Sequence, residues 1–411
     1  MSFKNLNNKL SYTTDGIPYL WESGDDVTTP TFQTEFESSD LDEGDRFGWS
    51  VAVGNGRIVV GAPLDDSNGS NSGSVYIFNL DGTNQIKITA SDGASNDRFG
   101  TSVAIGCGKI VVGASDDDTN TGSVYVFDLE GTQLNKITAS DGASNHYFGN
   151  SVSIGSEKIV IGAYGDDDDG TESGSVYIYD LDGSNENKIT ASDGSTSRRF
   201  GYSVSVKCGK IVIGAPAPFA NTSGFVYIYD LDGNELSKLT ASDGTSNDYF
   251  GWSVSVGSGR IVVGAWGNDD NGSNSGSIYI YNIDGNGETK IVPSDGSTND
   301  YFGYSVAVGS GRIIVGSYGK TVDGKSNQGV VYVFDLDGNL IGNSLFDSDD
   351  GGENDNFGYS VGVESGIIIV GARTSQDLED NGGSSYIYKT SRVYTLYDFT
   401  EINSLKWIIN N

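Results

Sequence analysis

Apolar positions in this chain recur in four short patterns. The run Ser50-Val51-Ala52-Val53 alternates polar and apolar residues, which predicts a strand with one buried face. Arg57 to Ala62 (RIVVGA) is apolar almost throughout, which predicts a strand buried on both faces. Asn55-Gly56 between them suits a two-residue hairpin. A third run carries Tyr76, and a fourth, the Lys-Ile-Thr segment, follows an Asp81-Gly82 turn. Helical periodicity is absent. These four predicted strands are designated a to d.

The pattern repeats seven times. Phe-Gly pairs begin at Phe47, Phe99, Phe148, Phe200, Phe250, Phe302 and Phe357, spaced by 52, 49, 52, 50, 52 and 55 residues. With each Phe as zero, Ser stands at +3, Val at +4, Gly at +14 and Asp at −7 in all seven copies. An apolar residue always occupies −11, and strand c always carries Tyr, from Tyr76 to Tyr386. Repeats of about 50 residues with four strands each predict an all-β fold: a seven-bladed β-propeller of four-stranded antiparallel blades. The coils of a β-solenoid, the structural alternative, are usually much shorter. The seventh unit lacks its own strand d, and residues 32–39 fit the −11 and −7 positions ahead of Phe47. An N-terminal outer strand is therefore expected to close the ring and remove an exposed sheet edge. Residues 393–399 (VYTLYDF) compete for that slot. The predicted organisation is an N-terminal extension over 1–31, the propeller over 32–391 and a C-terminal extension over 392–411. Each extension is a candidate docking segment or a cover for blade seven.

Composition changes the picture in two ways. Among 411 residues, 59 Gly with only 6 Pro and no three-residue period exclude collagen. A net charge of −32 argues against nucleic acid or an anionic membrane as partner. No apolar run reaches bilayer length, so membrane insertion is not expected. Met1 to Leu10 has no apolar h-region, so no signal peptide is expected there.

The Phe-Gly pairs, with Gly61-Ala62-Pro63 and Gly214-Ala215-Pro216 at this spacing, resemble FG-GAP repeats. Those repeats build the integrin α-subunit propeller and many bacterial and viral surface proteins. The resemblance covers roughly residues 32 to 391. The Ala-Ser-Asp-Gly before Phe-Gly is similar to the bacterial and phage branch. The resemblance implies extracellular recognition or adhesion and leaves the ligand open.

Loop lengths point to one face. The a–b turn is constant, whereas the step from the +14 Gly to the strand c Tyr varies from 12 to 16 residues. Variation thus gathers in the b–c loops, which share an end with the d–a connections, and variable loops on a rigid scaffold carry ligand contacts. Six aromatics fall there as ligand-binding candidates: Tyr147, Tyr249 and Tyr301 at −1, and Tyr164, Trp266 and Tyr318 at +16. Such rings suit a saccharide or a protein partner, or pack between blades. The aromatics at +2, such as Trp49 and Trp252, are expected to pack.

The same face is acidic. Asp65, Asp66, Asp116, Asp117, Asp167, Asp169, Asp269 and Asp270 offer Ca²⁺ an oxygen-rich setting, or stand as solvated loops. The Ca²⁺ loop implied by the resemblance belongs to the a–b hairpin, which is too short here. The −7 Asp heads a Ser-Asp-Gly turn and is expected to accept a backbone N–H. The −2 position is Asp five times, with His146 and Arg198 in blades three and four, and reads as a surface position. Catalysis finds little support, since His146 is the one His and no phosphate loop is present. Cys107 and Cys208, on blades two apart, are expected to be free thiols. The expected function is a non-enzymatic recognition module, outside a cell or on a virion, binding a cell-surface glycan or protein. A structural assembly protein contacting other virion proteins and a polysaccharide hydrolase are the alternatives.

Overall fold

The computed structural model describes residues 10–12, 18–20, 30–218, 222–342, 351–375 and 382–390. They form a ring of seven antiparallel sheets. Blade one runs through strand a, Ser50–Gly54, strand b, Arg57–Ala62, strand c, Ser74–Asn79, and strand d, Ile86–Ile88. Blades two to five repeat that order. Blade six has strands a to c among the described residues, and its expected fourth strand falls outside them. Blade seven supplies Phe357–Glu364, Ile367–Ala372 and Ser384–Lys389 and is completed by Thr31–Phe36. Glu35 pairs with Tyr386 and Phe36 with Ser385. The N-terminal strand thus closes the ring, ending earlier than predicted because Ser39 and Asp40 already turn toward blade one. The competing residues 393–399 lie outside the described set. Leu10–Tyr12 and Pro18–Leu20 pair as a separate two-stranded sheet.

The invariant positions hold neighbouring blades together. Strand a of each blade packs on strand a of the next, and that of blade seven on that of blade one. Each Phe of the Phe-Gly pair is buried between blades. Phe200 joins Val176 and Ile178 of blade three to Ile211 and Tyr227 of blade four. Full burial of such a ring stabilises by about 1.5–3 kcal/mol. The Gly at +14 explains itself by contact. A Cβ on Gly113 would lie 2.0 Å from the carbonyl oxygen of Gly149, the +1 Gly of the next blade. That carbonyl accepts a hydrogen bond from Ser102 Oγ, the +3 Ser, at 2.8 Å. The +1 Gly, +3 Ser and +14 Gly are therefore one inter-blade joint, repeated around the ring.

Backbone bonds also tie the variable loops. Asn96, Arg98 and Phe99 donate their N–H groups to Ser70, Asn71 and Ser72 in the b–c loop of the preceding blade. Ser197, Arg199 and Phe200 do the same to Thr171, Glu172 and Ser173. The b–c and d–a face is thus a hydrogen-bonded surface rather than a set of free loops.

Candidate functional site

At this face two residues per blade, those at +2 and +16, alternate along a shared border. From Tyr164 of blade three round to Trp49 of blade one the border is aromatic except at Pro216 and Arg373. Ring centroids run Tyr164–Tyr202 at 5.5 Å, Tyr202–Trp252 at 4.5 Å, Trp252–Tyr304 at 5.5 Å, Tyr304–Tyr359 at 5.0 Å and Tyr359–Trp49 at 5.3 Å. The +2 aromatics pack as expected. The six candidates are drawn into the same arc: Tyr147 stacks on Tyr164 at 4.9 Å, Tyr249 on Trp266 at 4.5 Å and Tyr301 on Tyr318 at 5.0 Å. The arc is dry enough to shift its phenols. Burial pushes the Tyr202 and Tyr304 hydroxyls well up, and Tyr164 and Tyr318 up to about 12.

The arc has one gap. Four successive border positions, Pro63, Thr101, Ser115 and Asn150, are small or polar. There a cavity of about 490 Å³ opens, with Trp49 at one end and Tyr147 and Tyr164 at the other. Its polar wall includes Arg98, Asp116, Asn120 and Asn150. The size falls within the roughly 300–1,000 Å³ of small-molecule sites. Of the six sequence candidates, Tyr147 and Tyr164 reach this cavity. The signal that locates it, the column of residue sizes at +2 and +16, was present in the sequence. A second cavity, about 310 Å³, lies beside Lys290, Asp295 and Tyr332.

The −1 residues form the outer rim. All seven have positive φ, from 54° at Arg98 to 66° at Arg46. Asn356 suits that conformation, but the other six are Arg or Tyr, which rarely adopt it. Such strain costs on the order of 1–3 kcal/mol and gathers at functional surfaces.

The acidic groups are mostly engaged by the protein itself. In blades two to five the −7 Asp, at Asp92, Asp141, Asp193 and Asp243, accepts from a Tyr hydroxyl of strand c and a Lys of strand d in its own blade. Asp92 accepts from Tyr125 at 2.8 Å and Lys136 at 2.7 Å, and Asp243 from Tyr279 at 2.8 Å and Lys290 at 2.6 Å. Burial alone would raise the Asp92 and Asp243 carboxyls, but these bonds hold them below the usual carboxylate value. The −7 Asp is architectural, through side chains rather than the expected backbone N–H. In blade six Lys320 of the b–c loop sits 3.3 Å from Asp295.

The eight metal candidates divide in the same way. Asp65, Asp117 and Asp270 pair with Lys87, Lys136 and Lys290 at 2.9, 2.8 and 2.6 Å. Asp116 pairs with Arg98 at 3.1 Å. Asp66, Asp167 and Asp269 accept the backbone N–H of Asn71, Glu172 and Asn274. The Asp169 N–H donates to Ser173 Oγ, and its carboxylate lies against Gly194. The carboxylates that do converge are Asp141, Asp166 and Asp168. The Lys188 ammonium lies among them, at 2.6, 3.0 and 2.6 Å. The a–b hairpins are two-residue turns without carboxylate clusters, so the Ca²⁺ loop implied by the resemblance does not fit this chain.

The −2 position is not a surface position. Asp45, Asp97, Asp248, Asp300 and Asp355 are buried, because each lies beneath the turn that it caps. Asp45 accepts the N–H of Asp42 at 2.8 Å, and Asp248 that of Thr245 at 2.9 Å. Burial pushes the Asp45 carboxyl up to about 6, with Asp65 adding to the shift. In blade three His146 lies 3.3 Å from Asp166, and in blade six Asp300 lies 3.0 Å from Lys320. Position −2 therefore faces +18, a pairing the sequence shows only when the blades are aligned. Cys107 and Cys208 are exposed, and neither forms a disulfide among the described residues.

The FG-GAP repeat family matches seven segments: 30–78, 83–127, 132–179, 184–229, 234–281, 286–334 and 345–388. No curated protein matches the chain.

Proposed function

Because the chain belongs to the FG-GAP repeat family, a family of binding and adhesion-type propellers, we propose that it is a non-enzymatic recognition module that binds a saccharide at the gap in the aromatic arc. The reading places the protein outside a cell or on a virion, meeting a cell-surface glycan. One observation carries it. Where the border from Tyr164 round to Trp49 is lined by packed rings, blades one to three leave a polar cavity between Trp49 and Tyr164. Saccharides offer apolar C–H faces and many hydroxyls, and this cavity offers ring walls with amide, hydroxyl and guanidinium groups between them. The hydrogen-bonded loops beneath it keep the walls in place without a metal ion, so binding is expected to survive chelation of Ca²⁺.

A glycan array carrying neutral, sialylated, uronate-containing and sulfated glycans, with and without EDTA, tests the reading. Binding that is lost in Tyr164→Ala and retained in Tyr318→Ala is expected. A silent array, or binding untouched by Tyr164→Ala, overturns it.

A further inference from the structure

The rim residues separate Arg from Lys. Four of the nine arginines, Arg46, Arg98, Arg199 and Arg373, stand at −1 or +16, and none of the fifteen lysines does. At +10, on the opposite end of the blades, Arg57, Arg260 and Arg312 alternate freely with Lys109, Lys158 and Lys210. Inside the blades the counter-ion to Asp is Lys, as with Lys87, Lys136 and Lys188. A point charge is enough in those places. The rim selects the planar fork of Arg, whose geometry matches two oxygens of a carboxylate.

Blade four displays what that fork does. Arg199, at −1, directs Nε and Nη2 at the same oxygen of Glu172, at 2.8 and 2.7 Å. Glu172 sits in the b–c loop of the preceding blade, and its carbonyl accepts the Arg199 N–H. Arg98 is the equivalent residue of blade two, and its N–H donates to the carbonyl of Asn71. Asn71 thus stands where blade three has Glu172, and the carboxylate is missing. Arg98 uses Nη1 on Asp116 at 3.1 Å, which anchors the guanidinium at the cavity wall. Its Nε and Nη2 have no partner among the described residues, and its side chain is 50% exposed.

We infer that the saccharide carries a carboxylate, and that this carboxylate takes the place on Arg98 Nε and Nη2 that Glu172 holds on Arg199. The inference rests on the saccharide reading above and narrows it to acidic sugars. On a chain of net charge −32 an anionic ligand needs a dedicated cation, and Arg98 is the one in the cavity wall. The sugar ring then lies between Trp49 and Tyr164, with Asn120 and Asn150 facing its hydroxyls.

The test compares each acidic glycan bound on the array with its carboxyl-reduced form, by titration calorimetry on the full chain. The acid is expected to bind about 10–100-fold more tightly, the range of a hydrogen-bonded charge pair. Arg98→Lys removes the fork and keeps the charge, and is expected to lose about tenfold on the acid alone. Asn71→Glu supplies an internal carboxylate to Arg98 without touching the cavity walls, and is expected to lose at least tenfold with the melting temperature retained. Equal binding of acid and reduced forms, both lost in Tyr164→Ala, overturns the carboxylate and leaves the saccharide reading standing. Selectivity for sulfated over carboxylated glycans also overturns it. A silent array overturns both readings.

Discussion

Blades four to seven and blades one to three share one backbone and one set of inter-blade joints, yet one arc of the border is filled and the other open. The difference lies in side-chain volume at two columns. Tyr202, Trp252, Trp266 and Tyr304 fill the closed arc, and Pro63, Thr101, Ser115 and Asn150 leave the cavity. Repetition supplies the ring, and departures from repetition supply the cavity. The comparison makes the residues that obey the repeat structural and those that break it functional. It can be broken at either end.

The largest effect is expected at the joints and should not distinguish the arcs. A Cβ on Gly264, in the closed half, would lie 1.9 Å from the Gly303 carbonyl, and one on Gly113, in the open half, 2.0 Å from that of Gly149. Backbone atoms cannot yield as side chains do, so Gly264→Ala and Gly113→Ala are each expected to cost about 3 kcal/mol or more. Chemical denaturation of both variants measures this. A cost confined to one half would mean that the two halves are not built alike.

Filling the gap should convert one arc into the other. Asn150 holds the border position that Trp252 holds in blade five, and its amide donates to the Tyr202 carbonyl at 3.2 Å. Asn150→Trp is expected to occupy the cavity and reduce glycan binding about 100-fold, with stability unchanged or raised by ring packing. Retained binding would move the site elsewhere on the face.

Charge distinguishes the halves more gently. In blade one Asp45 faces Asp65, and its carboxyl is raised to about 6 from the ordinary 3.8. The folded state therefore binds an extra proton between those values. Stability falls as pH rises across that window, and the cost is complete above about pH 6. Asp45→Asn keeps the bond to the Asp42 N–H and removes the charge, so it is expected to raise the melting temperature at pH 7 by about 1–3 °C and to change little at pH 4. In blade six Asp300 faces Lys320 at 3.0 Å instead. Asp300→Asn is expected to destabilise at pH 7 by about 1–3 kcal/mol, since a buried ammonium loses a partner. The same substitution thus has opposite signs in the two halves. Equal signs in melting curves would refute the charge assignment.

How much of this was legible follows from what repetition records. The blade count, the strands and the closure by Thr31–Phe36 follow from period and alternation, because burial enforces both in every copy. Ser50, Gly61 and Gly100 stand out because a single joint needs all three. The partners of the acids are not legible from any one position. Asp65 beside Lys87 and Tyr76 is a neutralised interior group, and the Lys column at −12 reveals this only against the Asp columns. The aromatics need the same comparison. Tyr249 and Trp266 satisfy one another, and Tyr147 and Tyr164 differ from them only in having Thr101 and Asn150 nearby. Period locates the scaffold, whereas the site requires comparison between columns.

The smallest effect is the sharpest on the rim itself. Arg98 has a φ of 54°, which favours glycine, and its one ion pair, with Asp116, is half-exposed. An exposed pair contributes about 0–1 kcal/mol, and relief of the left-handed strain about the same or slightly more. Arg98→Gly is therefore expected to leave stability unchanged or raise the melting temperature by about 1–2 °C, while acidic glycan binding is lost. A residue kept for packing would behave the other way, with stability falling and binding intact. Thermal melts and calorimetry on the one variant decide between them. The rim position of blade seven supplies the control, since Asn356 already tolerates its φ of 60°. Asn356→Gly should move neither quantity by a comparable amount.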